Sequence, residues 1–91
     1  MRFSLHTVGI PVPNPPRGEL ELDLEEATVG GFLATLGKAY PQLARYASEE
    51  LMRREEVALL VNGRNALSLG GMATPLSGGE QILLTVRVVG G

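Results

Sequence analysis

A chain of 91 residues is sized for one domain, because two cores of roughly 45 residues each would bury too little surface to fold unaided. Hydrophobic residues at 44% and charged residues at 20% place it with globular proteins and away from disorder. A net charge of -2 with eight scattered Lys and Arg excludes the phosphate-neutralising surface that nucleic acid requires, and the lack of cysteine excludes disulfides, thiolate metal sites and a sulfur nucleophile.

The lone histidine, His6, provides neither a catalytic triad nor a metal cluster, and it is read as a surface or packing residue. No catalytic side chain and no metal ligand is expected. No apolar run is long enough to cross a bilayer, and the start MRFSLHTVGI lacks the apolar core and cleavage site of a signal peptide. A cytoplasmic protein without a membrane partner is expected.

Residues 2 to 10 read as a strand whose apolar phase shifts between Leu5 and Val8, which implies a bulge or an early strand end near Thr7. Pro11 to Gly18 carries four prolines and is a stiff loop, since each proline removes an amide donor and fixes φ. Glu19 to Leu24 alternates strictly, with three leucines on one face and three carboxylates on the other. The period then changes to that of a helix: Val29, Phe32, Leu33, Leu36 and Tyr40 form one stripe over residues 29 to 40, with Thr28 placed to cap it. Gly30, Gly31 and Gly37 each weaken this helix by about 1 kcal/mol relative to alanine, so packing must hold it.

Leu43, Tyr46, Ala47 and Leu51 suggest a second helical stretch over residues 42 to 54. Val57 to Val61 is a continuous apolar run ending in Asn62-Gly63, so it reads as a central strand followed by a tight turn. Asn65 to Leu69 is expected to form a short return strand, with glycine turns flanking Thr74-Pro75-Leu76. The last strand runs from Gln81 to Val89, with Ile82, Leu84, Val86 and Val88 opposite Leu83, Thr85, Arg87 and Val89. Gly90-Gly91 follows as a flexible tail.

Two strands, a helix, and further strands with the last one central is the order of an α+β, ubiquitin-like β-grasp domain, a mixed sheet of four to five strands on one main helix. The whole of residues 1–91 reads as that single domain. Leu60-Val61-Asn62-Gly63-Arg64-Asn65, Thr74-Pro75-Leu76-Ser77-Gly78-Gly79-Glu80, the helix from Thr28 to Pro41 and the terminal Gly90-Gly91 together resemble the MoaD/ThiS family of sulfur carriers. Three features depart from the family pattern: Thr85 to Val89 stands where a proline or two often precedes the tail, Gly79-Glu80 replaces Gly-Asp, and the proline-rich loop of residues 11 to 18 is not typical of the family.

The resemblance implies a non-catalytic carrier with no bound cofactor, whose Gly91 carboxylate is adenylated and converted to a thiocarboxylate. ATP is used by a partner, a ubiquitin-activating-type adenylating enzyme, and a sulfur-accepting synthase takes the sulfur. Asn62-Gly63-Arg64-Asn65 and the long helical region lean toward the molybdopterin-synthase small-subunit branch, in which the acceptor is the large subunit. Val88, Val89 and Gly90 are expected to thread Gly91 into partner active sites, since glycine has no Cβ to clash there. Leu60, Leu83 and Arg87 are expected to meet the partner on the sheet face that the helix leaves open. Similar carriers serve thiamin, tRNA thiolation and cysteine synthesis. A ubiquitin-like protein modifier and a noncovalent β-grasp interaction domain are the alternative functions.

Overall fold

Alternating apolar residues assemble one five-stranded sheet in the computed structural model, which describes residues 1–86. β1 (Arg2–Val8) pairs antiparallel with β2 (Gly18–Glu21). β5 (Gln81–Val86) lies parallel beside β1 and antiparallel beside β3 (Val57–Val61), which turns into the two-residue β4 (Arg64–Asn65). The order β2-β1-β5-β3-β4 puts the last strand in the centre, as the sequence predicts. Asn62 and Gly63 take φ values of 51° and 83°, the paired positive values that let a two-residue turn follow the twist of its strands.

α1 (Val29–Ala39) covers one face of this sheet. Its buried Val29, Phe32, Leu33 and Leu36 share a core with Phe3, Leu5, Leu59, Ile82 and Leu84. The rings of Phe3 and Phe32 meet edge to face at 5.1 Å and 78°. Thr28 Oγ1 accepts a hydrogen bond from the Gly31 amide at 3.1 Å, the cap expected from its position.

Crowding at the first turn of α1 explains two of its glycines. A Cβ on Gly30 would lie 3.3 Å from both the Cβ and the carbonyl oxygen of Met72, and a Cβ on Gly31 would fall on the carbonyl of Glu26. The segment at Thr74 to Leu76 is strapped to the same turn: Val29 N donates to Thr74 O at 2.9 Å and Leu76 N to Ala27 O at 2.8 Å. Glycine here exchanges helix propensity for close approach of two backbone segments.

Several boundaries differ from expectation. β1 ends at Val8, which is 57% exposed, and Gly9 at φ 73° returns Ile10 to the core; the shifted apolar phase marks a strand end and not a bulge. β2 stops at Glu21, after which the Leu22 amide donates to the Met1 carbonyl at 2.8 Å; Leu20 and Leu22 are buried and Leu24 half-buried.

The helical stretch expected over residues 42 to 54 is two pieces, a 3₁₀ turn at Pro41–Leu43 and α2 (Glu49–Arg53). Ser48 divides them because its backbone is extended, at φ -131° and ψ 126°, and its hydroxyl accepts from the Leu51 amide to start a new helix. The expected return strand at residues 65 to 69 is largely a helix, α3 (Ala66–Leu69). Pairing stops at Asn65, whose side-chain oxygen caps α3 by accepting from the Leu67 amide at 3.0 Å.

Candidate partner-docking face

The sheet face opposite α1 is built from the outward positions of three adjacent strands. Leu60 of β3 and Leu83 of β5 are register partners, and His6 of β1 pairs with Leu83 from the other side. Directly paired residues project to the same face of a sheet, so His6, Leu83 and Leu60 make one row across it. Val8, Thr85 and Ala58 make the next row in the same way. Leu60 and Leu83 are half-buried, and with His6, Gly63, Gln81 and Ile82 they line a shallow depression. A surface of this kind can desolvate against a partner without breaking any internal hydrogen bond.

Of the residues expected to contribute to function, Leu60 and Leu83 are therefore brought together. Arg87, Val88, Val89, Gly90 and Gly91 lie outside the described residues. His6 is exposed in the same row, and Val8 and Thr85 extend the face. The period-two pattern of β1 and β5 carries a signal for these three, but it needs the parallel β1–β5 register to be read as one surface. Among the described residues, no group of three or more His, Asp and Glu could hold a metal, and no helix is long and apolar enough to cross a membrane.

The turn that launches β5 is held by Glu80. Its carboxylate accepts from the amides of Ser77 and Gly78, both at 2.8 Å, and from the Ser77 hydroxyl at 3.3 Å. Partial burial pushes its carboxyl pKa up, but the amides of Ser77, Glu80 and Gly78 and the Ser77 hydroxyl outweigh this and hold it below the ordinary value of 4.5. A depressed folded-state pKa means that the stabilisation is complete above the unfolded value and is lost as pH falls through the folded one. Glu80→Gln is expected to cost about 1–2 kcal/mol at neutral pH, discounted for the solvent contact of the group. The gap between the variant and the wild type should close as urea melts are taken to acid; a gap independent of pH would refute the assignment. Asn62 ties the other side of this turn, receiving the Gln81 amide on Oδ1 at 2.9 Å. Asn62 and Glu80, which lie in the family-like segments, thus build the frame from which β5 runs, while Asn65 caps α3.

The model of the ThiS family matches residues 12–91. The chain belongs to the ThiS family. A relative of this ThiS-family chain in Haloferax volcanii, small archaeal modifier protein 3, is 37% identical over 67 residues, covering 74% of this chain and 73% of that protein. A relative in Archaeoglobus fulgidus, named provisionally as a sulfur carrier protein, is 29% identical over 80 residues, covering 82% of this chain and 86% of that protein. The solution structure of the HVO 2177 protein of Haloferax volcanii matches with a TM-score of 0.67 at 28% identity, over 100% of this chain and 87% of that one. The fold is the ubiquitin-like β-grasp, and the family is one of small sulfur carriers and ubiquitin-like modifiers.

Proposed function

We propose that this ThiS-family chain is a sulfur carrier whose Gly91 carboxylate is adenylated and then converted to a thiocarboxylate. The observation that supports this most is the family match, which runs through Gly90 and Gly91. In the first step a carboxylate oxygen of Gly91 attacks the α-phosphorus of ATP in the adenylating enzyme, and pyrophosphate leaves. Hydrosulfide, as the sulfur donor, then attacks the carbonyl carbon of the acyl adenylate: the C–S bond forms, the C–O bond to AMP breaks, and AMP leaves with the electron pair. The chain supplies the attacking carboxylate and, in this reading, no side-chain base or nucleophile; the enzyme supplies ATP and the electrostatics.

In this reading the row of Leu60 and Leu83, with Arg87, docks the adenylating enzyme and aims the tail. Val88, Val89 and Gly90 carry Gly91 into the active site, where glycine passes without a Cβ. The pathway assigned is molybdopterin synthesis in the cytoplasm, with a synthase large subunit as acceptor. It is supported by the likeness of Asn62-Gly63-Arg64-Asn65 to the small-subunit pattern. A second reading, a protein modifier whose Gly91 is joined to a lysine of a target, draws on the 37% identity to small archaeal modifier protein 3. Both readings share the adenylation step.

The deciding experiment is the intact mass of the chain after incubation with a candidate adenylating enzyme, ATP and a sulfur donor. A gain equal to one oxygen-for-sulfur exchange is the expected result. Adenylation without any sulfur gain, accompanied by conjugates in cell extract, would replace the carrier with the modifier.

A further inference from the structure

We infer, resting on the adenylation step proposed above, that the groove between the β3–β4 turn and α3 is a second docking site for the adenylating enzyme. Its occupant is a segment of that enzyme in which a carboxylate stands beside a bulky apolar side chain.

The two family-like segments meet in this groove. Asn62 and Arg64 line it from one segment and Thr74, Pro75 and Glu80 from the other, with Leu69 of α3 beside them. Most of these polar side chains work within the fold. Asn62 Oδ1 accepts from the Gln81 amide at 2.9 Å, the Thr74 hydroxyl donates to the Gly71 carbonyl at 2.8 Å, and the Glu80 carboxylate holds the Ser77 and Gly78 amides. Arg64 is the exception: it is exposed and has neither a hydrogen bond nor an ion pair among the described residues.

The hairpin register aims that free guanidinium. Val61 and Arg64 are partners across the turn, so Arg64 projects to the side of the sheet that buries Val61, away from the Leu60 row. The apolar part comes from Leu69, which is 43% exposed, and from the exposed Pro75. An apolar wall with one uncommitted cation matches an apolar side chain flanked by a carboxylate, which guanidinium can bind through two parallel hydrogen bonds. A basic occupant fits poorly, because Arg64 repels it and the Glu80 oxygens are already engaged.

The groove also continues the face assigned to the enzyme. Gly63 lines the depression around Leu60 and Leu83, while its neighbours Asn62 and Arg64 line this groove. A Cβ on Gly63 would meet nothing within 4 Å, so the turn is a low, open saddle between the two. A segment of an enzyme seated on the open face can cross it. Gly91 follows the other end of β5, a strand of six residues and about 20 Å, so filling the groove leaves delivery of the carboxylate free.

The test measures steady-state adenylation of the full chain by the enzyme, read as pyrophosphate release over a range of chain and salt concentrations. Arg64→Glu and Leu69→Ser are each expected to raise KM by about 10-fold with kcat unchanged. Two matched controls should keep the wild-type KM: Arg17→Glu, an exposed charge in the proline-rich loop, and Leu67→Ser, the exposed leucine of α3 that lines a different groove. The wild-type KM should rise with salt more steeply than that of Arg64→Gln, a response that a merely structural role would not give. An unchanged KM in either groove variant, an equal rise in the controls, or the same salt response in Arg64→Gln would overturn the inference and leave the carrier reading standing. Absence of adenylation in the wild type would overturn both.

Discussion

Gly31→Ala is expected to lose about 3 kcal/mol or more of unfolding free energy, the upper range of overpacking costs, because the obstacle is backbone. The added methyl falls on the Glu26 carbonyl, and that carbonyl belongs to the loop that leads into the Thr28 cap. Neither side can yield alone: Thr28 pairs with Pro75, and Val29 and Leu76 are bonded across the same junction. Gly37→Ala provides the contrast on the same helix, since its Cβ would lie 3.4 Å from Ala44 Cα and 3.5 Å from Ala44 Cβ, which is ordinary contact. That variant is expected to gain up to about 1 kcal/mol from helix propensity and a less flexible unfolded chain. Urea melts of the two variants check both signs, and equal effects at the two positions would show that propensity governs and the Glu26 contact does not.

The difference between these glycines also shows what a sequence can and cannot disclose. Gly30, Gly31 and Gly37 look alike as interruptions of a helical stripe, because the backbone that crowds two of them arrives from Glu26 and Met72. Features set by neighbouring residues were legible: the Thr28 cap, the Asn62-Gly63 turn, and the alternation that places Leu83 opposite Ile82 and Leu84. Ser48 and Asn65 were harder, since each has a short polar side chain that either continues a local pattern or caps a helix. Apolar spacing runs on through both positions and conceals the break. Of the candidate face, Leu83 was legible from alternation and Leu60 only as part of a central apolar strand, whereas the contributions of His6 and Val8 depend on β1 lying parallel to β5. That pairing joins strands more than seventy residues apart in the chain, and nothing local specifies its register.

Adding one alanine after Gly91 is expected to bring adenylation down to background, a loss of more than about 10³-fold in kcat/KM. The reacting carboxylate would move by up to about 3.5 Å, the reach of one residue, and Gly91 would present an amide in its place. A misplacement of about 1 Å can already cost roughly 10²-fold when catalysis depends on positioning. The paired substitution Leu60→Thr with Leu83→Thr acts on the other half of the design. It places β-branched threonines, which suit strands, in β3 and β5, leaves the tail intact, and removes apolar area from the centre of the open face. Its expected effect is a KM for the chain raised by about 10- to 100-fold with little change in kcat, the scale of losing a central apolar contact. The extended variant should instead compete with the wild type at unchanged affinity, because its face is intact. Steady-state kinetics with pyrophosphate release therefore separates docking from delivery. If the extended chain fails to compete, the tail itself provides the affinity and the Leu60–Leu83 row does not dock the enzyme.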